Sequence, residues 1–500
     1  MTSPVRRFAF LVAGLFLLAG CGSTVPKSQL EALLGNQNQN QGLGTTGGVA
    51  PSVAGSNGAV SGIGAGTTGT ASTGSVSGTG GVLTTSGALG PGITAKAIYV
   101  GLVNIKNSGA GNAALGATST PVDYQRPWNI VINDLNTKGG IAGRKIVPVW
   151  ATFDTTSSET IDQQAQAACA TWTQDNKVFA IFGGDAGGVT QECTEKAHAI
   201  NVVPAGDSTP ETFHNYPHYI ETSGMNIVRQ GPVTVKGLAA QNYFTQGARL
   251  GIVTWDAPNY REAIAKGYVP SLSSVHVSPA TQTAYVHVPA SFNDLGGMNS
   301  DINSAVLRFA NEHIDHVMII DGSAGVCAGA CLGFEFLNQA QSQSYHPRYG
   351  FNDYNYADTS VDTLYPHQQL TGSVAVVWSD ANQSQDVGYK TNSARESCYS
   401  LMRKNGWDFD VTNDNQTYVI RDACESFWFM RAVIAKMGNA VLNNDNFVAG
   451  VNRIGRSFES LNTYISTLSA TQHDGVSAVR NEEYFDSCTC YKYTSSAYEV

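Results

Sequence analysis

The chain has 500 residues and a formal net charge of −10, from 39 acidic and 29 basic side chains. This length allows about two to four domains. Lys and Arg form no cluster or stripe, and a nucleic-acid-binding protein needs such a cluster to neutralise phosphates, so we expect no nucleic-acid partner.

The N-terminus carries a pattern for export and lipid attachment. Two basic residues, Arg6 and Arg7, precede an apolar run at 8–18 that ends in Ala19-Gly20-Cys21. This order is typical of a bacterial lipoprotein signal peptide, here residues 1–20. We predict that Cys21 becomes the first residue of the mature chain and carries a lipid anchor that holds it outside the cytoplasmic membrane. The alternative is an ordinary secretory signal with an incidental cysteine.

Residues 21–92 have the composition of a linker. From 35 to 92 the chain is almost entirely Gly, Ser, Thr, Asn, Gln, Ala and Val. Such a segment buries too little apolar surface to offset the entropy of the chain. We therefore predict a lipidated, disordered linker up to residue 92 and a folded part from residue 93 onward.

In the folded part, short apolar runs alternate with segments of helical spacing. The first series has predicted strands at 98–103, 145–150, 178–182 and 201–204, with helices at 121–136, 158–174 and 190–199. After residue 219 a second series has helices at 227–244, 260–271, 298–312 and 332–340 and strands at 249–254, 284–288, 316–320 and 349–352. This alternation predicts an α/β protein with two doubly wound lobes, each built on a parallel sheet.

The last third of the chain has one apolar strand pattern, at 372–378, and helical patterns at 386–404, 418–437 and 446–456. One strand is too few for a third sheet, so we assign this region to the first lobe. The first lobe would then hold residues 93–221 and about 370–480, and the second 222–369 and about 481–500. A chain that crosses between lobes more than once forms a hinge.

Eight cysteines follow Cys21, an even number in an oxidising compartment, and disulfide bonds are the default interpretation. Pairing of neighbours closes short loops and predicts the bonds Cys169–Cys193, Cys327–Cys331, Cys398–Cys424 and Cys488–Cys490. A zinc site is the alternative use of cysteines. The closely spaced cysteines Cys327/Cys331 and Cys488/Cys490 have no second cysteine pair of matching spacing and no histidine at ligand spacing. We therefore predict no metal site.

In an open parallel sheet a ligand binds beside the carboxyl ends of the strands. A glycine-rich loop at 183–188 follows the third strand and precedes a helix, which favours an anion at Asp185, Ala186 and Gly187. The Asp185 carboxylate could instead cap the helix or receive a cationic group.

Candidate ligand residues also follow strands of the second lobe. Trp255 and Tyr260 suit packing on an apolar or cationic ligand, although either ring could merely seal the lobe. Asp321 and Asp353 end neighbouring strands, where they could hold an ammonium group or cap a turn.

Residues 132–146, Ile-Asn-Asp-Leu-Asn-Thr-Lys-Gly-Gly-Ile-Ala-Gly-Arg-Lys-Ile, resemble the N-terminal signature of branched-chain amino-acid-binding periplasmic solute-binding proteins. Segments at 180–184, 202–205, 219–223 and 248–261 are similar to the same family in the same order. The resemblance covers roughly residues 95–490. It implies a type I fold with two lobes joined by three crossovers, which closes over a small polar ligand and delivers it to an ABC permease.

The resemblance also implies roles for particular residues. The loops that contain Asp185, Ala186 and Gly187, and Asp207 and Ser208, would face the ligand's carboxylate. Tyr260 looks like the tyrosine that covers the ligand, and Asp353 lies near the place where an acid meets its ammonium group.

The sequence contains only incomplete versions of two catalytic or cofactor-binding motifs. Residues 109–114 imitate a dinucleotide-binding loop, but no suitable acidic residue follows at ribose-binding distance. The segment Gly322-Ser323-Ala324-Gly325 resembles the Gly-x-Ser-x-Gly motif of a nucleophile elbow, but Asp321 stands at the position of the first glycine. We expect a monomeric receptor without cofactor or enzymatic activity that captures a small polar ligand such as an amino acid. The alternative is a two-lobed envelope lipoprotein that acts as a sensor or interaction protein without a role in transport.

Overall fold

The computed structural model describes residues 83–116, 122–184, 187–360, 364–379, 392–411 and 414–500. The predicted signal peptide, Cys21 and most of the predicted linker lie outside these residues, and so do Asp185 and Ala186. Within the described ranges, no helix combines the length and the apolar character needed to cross a membrane.

The end of the predicted linker, residues 83–92, is part of the described structure and is bound to the first lobe. The Thr84 amide donates a hydrogen bond to Asn446 Oδ1 at 2.9 Å, and the Val441 amide donates to the Thr84 carbonyl at 3.0 Å. Leu83 packs against the core of that lobe. Composition could not reveal this attachment, since its partners lie more than 350 residues away in sequence.

Five parallel strands form the first sheet, in the order β2-β1-β3-β4-β5. The strands are β1 Ala97–Lys106, β2 Lys145–Asp154, β3 Ala180–Phe182, β4 Ile200–Val203 and β5 Tyr219–Glu221. Its helices are α1 Ser108–Ala114, α2 Gln125–Thr137, α3 Ile161–Cys169, α4 Gly188–Lys196 and α5 Pro210–Asn215. All residues of β3, β4 and β5 are buried, as parallel strands covered on both faces should be. The predicted doubly wound lobe is confirmed, with β5 as an unforeseen short strand.

The second sheet runs in the order β14-β13-β12-β11-β8-β6-β7, and β15 pairs with β13 beside this path. Its strands are β6 Leu250–Trp255, β7 Ala284–Val286, β8 His316–Ile320, β11 Arg348–Asn352, β12 Val374–Val377, β13 Ala478–Phe485, β14 Cys490–Tyr493 and β15 Tyr498–Glu499. A separate hairpin joins β9 Ser323–Ala324 to β10 Cys327–Ala328. The helices are α6 Ile227–Ala240, α7 Pro258–Glu262, α8 Val269–Ser274, α9 Leu295–Asn311, α10 Cys331–Ser342, α11 Ala357–Ser360 and α12 His367–Leu370.

The strand pattern at 372–378 does form a strand, but in the second lobe and not in the first. Strand β12 pairs in parallel with β11, with Gly350 opposite Val374, and antiparallel with β13. The predicted assignment of about 370–480 to the first lobe therefore needs correction at its start. An apolar run predicts a buried strand, but the run itself does not specify which sheet supplies its neighbours.

The three late helices pack on the first lobe. They are α13 Ser393–Lys404, α14 Asp414–Met437 and α15 Asn444–Val451. Phe427 of α14 packs against Phe182 and Trp128, with ring centroids 5.2 and 5.9 Å away. Phe447 of α15 packs edge-on against Phe179 at 5.5 Å.

The chain passes between the lobes three times, after β5, after β12 and before β13. The first and third connections run side by side, since the Glu221 amide donates to the His473 carbonyl and the Gly475 amide donates to the Glu221 carbonyl. Next to this pair, the buried Asp474 carboxylate accepts three hydrogen bonds of 2.9 Å, from the Asn226 amide, its side chain and the Arg229 guanidinium. These contacts fix the hinge.

The cysteines form the four bonds between neighbours that the spacing predicts, Cys169–Cys193, Cys327–Cys331, Cys398–Cys424 and Cys488–Cys490. The bond between Cys398 and Cys424 ties α13 to α14, and both residues are fully buried in the first core.

Replacing both Cys398 and Cys424 with alanine should lower the free energy of unfolding by roughly 3 kcal/mol, because the bond closes a loop with a sequence separation of 26 residues. Urea denaturation under non-reducing conditions measures this loss. The control replaces Cys488 and Cys490, whose separation is 2, and should change stability by about 1 kcal/mol or less. Equal losses in the two variants would contradict loop closure as the cause.

Candidate functional site

Loops that follow the parallel strands of the two sheets contact one another where the two lobes face each other. The Ile161 amide, beyond β2, donates to the Ala290 carbonyl, beyond β7, at 3.0 Å. A Cβ atom on Gly111 of α1 would lie 2.9 Å from the Phe292 ring of the second lobe. The carboxyl ends of both sheets therefore bound the same space, which is where open α/β sheets place ligands.

Asp207, in the loop after β4, contacts the second lobe directly. Its Oδ2 accepts a hydrogen bond of 2.5 Å from the Tyr260 hydroxyl, and its carbonyl accepts one of 3.1 Å from the Asn259 side chain. The preceding carbonyl, of Gly206, accepts from the Tyr354 hydroxyl at 2.9 Å. Three side chains of the second lobe thus hold one short loop of the first, and we call this group of contacts the interlobe latch.

Tyr260 is held for this contact by its own helix. Pro258 begins α7 after an extended Ala257, a favourable start for a helix, and places Tyr260 in its first turn. Only 1% of the Tyr260 surface is exposed. Burial, together with the nearby charge of Asp207, raises the pKa of Tyr260 well above its usual value. The hydroxyl therefore keeps its proton and acts as a donor to Asp207.

Gly322 provides the room for the latch. A Cβ atom at this position would lie 1.9 Å from the Tyr260 hydroxyl oxygen and 2.7 Å from Asp207 Oδ1. Both distances are too short for any side chain, so the close approach of the lobes requires glycine here.

Trp255 and Asp321, which were predicted to face a ligand, are fully buried and bind each other inside the second lobe. The Trp255 indole donates to Asp321 Oδ1 at 2.9 Å, and the Gly322 and Gly333 amides donate to the same carboxylate at 2.8 and 3.0 Å. Trp255 therefore seals the lobe, which was the alternative interpretation, and Asp321 binds the first turn of α10. Burial nevertheless raises the pKa of Asp321 to about 7.

Asp353 is also engaged with its own lobe. Its Oδ1 accepts from the Trp378 and Ser379 amides at 2.8 and 2.9 Å, and its Oδ2 accepts from the Ser379 hydroxyl. Burial raises its pKa to about 6. Asp353 thus holds the start of the second connection between the lobes. Its position at the end of a strand is compatible both with this structural role and with binding of a ligand's ammonium group, so the sequence alone could not separate the two.

Two other predicted residues stay near the cleft. Ser208 is fully buried beside Asp207, and its hydroxyl has no hydrogen-bond partner within the described protein. Gly187 precedes α4 with a φ of +65°, a conformation that favours glycine. Asp185 and Ala186, the other two residues of that loop, lie outside the described residues.

A second group of polar side chains was not predicted from the sequence. Tyr124 is the N-cap of α2, and Tyr418 and Asp422 lie one turn apart on α14. Asp422 is only 6% exposed, whereas Tyr418 is 47% exposed. The nearby charge of Asp422 raises the pKa of the Tyr418 hydroxyl well above its usual value.

Residues 127–391, more than half of the chain, match the periplasmic binding protein family. The chain belongs to the periplasmic binding protein family. This confirms the resemblance seen in the sequence. A comparison with curated protein sequences finds no match.

Solved structures of such proteins share the type I fold. A solute-binding protein of an ABC transporter from Rhodopseudomonas palustris BisB5, in complex with 3,4-dihydroxybenzoic acid, aligns with a TM-score of 0.56 at 15% identity, over 81% of this chain and 97% of that one. A branched-chain amino-acid ABC transporter protein from Thermus thermophilus with bound valine gives 0.55 at 10% identity, over 81% and 96%. A fatty acid ABC transporter substrate-binding protein from Thermomonospora curvata gives 0.55 at 14% identity, over 83% and 95%. At these low sequence identities, the structural similarity shows only that the chain shares the fold of these proteins.

Proposed function

We propose that the protein is an extracytoplasmic, lipid-anchored receptor that captures a small polar solute between its lobes and presents it to an ABC importer. The observation that carries this proposal is the convergence of strand-end loops from both lobes on one cleft, with three chain crossings as a hinge behind it. The family and the solute complexes of its structural relatives support it.

Binding would work by closure of the hinge. A solute that contacts both lobes stabilises the closed state by its higher affinity for that state, and the importer recognises the closed form. Gly187, Asp207, Ser208 and Tyr260 are our candidate contacts among the described residues, together with Asp185 and Ala186 from the same loop as Gly187. The solute leaves chemically unchanged, and a monomer suffices for this mechanism.

A thermal-shift screen of amino acids, amides, sugars and polyamines tests the proposal. A solute that binds only the folded protein stabilises it by about 2.7 kcal/mol at a concentration one hundred times its Kd. Asp207→Ala should change the response to that solute. Asp256→Asn, an exposed acid of the same cleft region paired with Arg261, should leave it unaltered.

A role as an envelope sensor or interaction protein remains the second candidate. The interlobe latch favours it, because Asp207 and Tyr260 join the lobes through the protein's own groups. Absence of a thermal shift across the whole screen would support this role and count against solute capture.

Replacing Cys21 with serine should release the protein from membranes, because serine has no thiol to receive the lipid. Fractionation of cells that express the full chain, followed by detection in membrane and soluble fractions, measures the release. Cys488→Ser is the control, since this cysteine lies in the second lobe, and it should stay in the membrane fraction. Retention of the Cys21→Ser variant would refute the anchor.

A further inference from the structure

The bond between Cys488 and Cys490 lies in an exposed turn, which sets it apart from the other three disulfides. Residues 486–489, which join β13 to β14, are all exposed, and Cys490 is half-buried. Each of the other three bonds has at least one buried cysteine. Of the four bonds, the one in the turn is therefore the most accessible to a thiol in solution.

This bond adds no cross-link between elements that are not already paired. Tyr484 lies opposite Tyr491 and Phe485 opposite Cys490 in the two strands, and the Cys488 amide donates to the Phe485 carbonyl at 3.2 Å. A disulfide stabilises a protein mainly by closing a loop, and the sequence separation here is only 2. Stability of the fold therefore does not explain why two cysteines stand at this place.

The residue between the two cysteines has an unfavourable backbone conformation. Thr489 has a φ of +52°, in the left-handed region, where a β-branched side chain is an outlier. It is exposed, so packing against the core does not enforce this conformation. The ring closed by the bond contains only this one residue between its cysteines, and opening the ring lets the backbone relax. Strained and exposed disulfides are the ones that thiols reduce most readily.

The face of the hairpin that carries the bond also carries an aromatic ring and an ammonium group. Phe485 is opposite Cys490, and Lys492 is two residues beyond Cys490, so the three side chains share a face. The Lys492 Nζ lies 5.6 Å from the Phe485 ring centroid, and both residues are exposed. A positive charge favours the thiolate that leaves when the bond opens. Two acids are also near, Glu483 opposite Lys492 and Asp486 in the turn.

The turn lies away from the candidate solute site. Strand β13 runs antiparallel to β12, with Arg480 opposite Val377 and Glu483 opposite Val374. The end of β13 is therefore at the amino end of β12, whereas the loops that contact the first lobe follow the carboxyl ends of the parallel strands. Chemistry at the turn would be separate from capture of a solute.

We propose that Cys488 and Cys490 form a thiol–disulfide exchange site that oxidises dithiols of peptides or proteins. A substrate thiolate attacks the exposed Cys488 sulfur, the bond to Cys490 breaks, and Cys490 leaves as a thiolate that takes a proton from water. The second substrate thiolate then attacks the substrate sulfur of the mixed disulfide and releases Cys488, which is protonated in the same way. The substrate loses two electrons and two protons as its own disulfide forms, and the two cysteines gain them.

Incubation of the full chain with an excess of a reduced Cys-x-x-Cys peptide under nitrogen tests this activity. Alkylation followed by peptide mass spectrometry identifies each cysteine that has become a thiol. We expect about one peptide disulfide per chain, with the new thiols at Cys488 and Cys490, and reduction of the other three bonds about a hundredfold slower or less.

Variants separate the site from the other cysteines. The Cys488→Ser/Cys490→Ser double variant should form no peptide disulfide, whereas the matched control, Cys169→Ser/Cys193→Ser, should keep the full yield. Lys492→Gln should slow the reaction about threefold, because the leaving thiolate loses the net benefit of the ammonium group. Urea denaturation confirms that each variant is folded.

The single variants identify the sulfur that the substrate attacks. Cys490→Ser leaves Cys488 as an exposed thiol, which should form a mixed disulfide with oxidised glutathione about tenfold faster than the half-buried Cys490 does in Cys488→Ser. The reverse order would refute attack at Cys488.

Equal rates of reduction for all four bonds, or peptide oxidation that persists in the Cys488→Ser/Cys490→Ser variant, would overturn the exchange site. Neither result would bear on solute capture, because the turn and the candidate solute site lie at opposite ends of the second sheet.

Discussion

Replacing Gly322 with alanine should force the interlobe latch open. The added Cβ would lie 1.9 Å from the Tyr260 hydroxyl oxygen and 2.7 Å from Asp207 Oδ1. Tyr260 is fully enclosed and cannot move aside within its lobe, so the clash is relieved most easily by separating the loop after β4 from α7. Overpacking of a buried site destabilises a protein by about 1–3 kcal/mol. Here the closed arrangement of the lobes would be destabilised, because separating the lobes relieves the clash.

Small-angle X-ray scattering measures the separation as an increase in the radius of gyration. Gly296→Ala is the matched control, because a Cβ atom there meets nothing within 4 Å. Tyr260→Phe removes the atom of closest contact and should partly restore the compact form when combined with Gly322→Ala. A radius of gyration unchanged by Gly322→Ala would show that the lobes do not depend on this contact.

Replacing Asp474 with alanine should destabilise the hinge by about 3 kcal/mol or more. The carboxylate is 4% exposed and accepts hydrogen bonds from the Asn226 amide, the Asn226 side chain and the Arg229 guanidinium. Removing one member of a buried ion pair leaves the other charge uncompensated and its donors without partners. These donors lie at the N-terminus of α6, next to the first connection between the lobes. The loss of stability should therefore be localised at this connection.

The free energy of unfolding in urea measures this effect, and hydrogen exchange at residues 221–229 locates it. Glu499→Ala is the control, since it removes an ion pair with Arg456 at the surface, where water screens the charges and little stability should be lost. A similarly small loss for Asp474→Ala would mean that the backbone pairing of Glu221 with residues 473–475 holds the hinge without the carboxylate.

The sequence alone determined most of the helices and strands of both lobes and the pairing of the cysteines, but not β5 or the strands β13 to β15. A strand covered on both faces must be apolar throughout, and the helices between such strands must carry one apolar stripe, so the alternation is visible in the chain itself. Bonds such as Cys398–Cys424 close short loops between adjacent helices and are therefore also local in sequence. The segment at 132–146 also indicated the protein family, and the match of residues 127–391 to the family confirms it.

The tertiary structure decided which elements become neighbours and which side chains reach the cleft. Strand β12 pairs with β11 and β13, although its sequence fits either lobe equally well. Trp255 and Asp321 turn toward one another inside the second lobe, whereas Tyr260 reaches across to Asp207. These contacts join residues tens to hundreds of positions apart, and no local pattern encodes them, because the direction of each side chain is fixed only when distant elements pack around it.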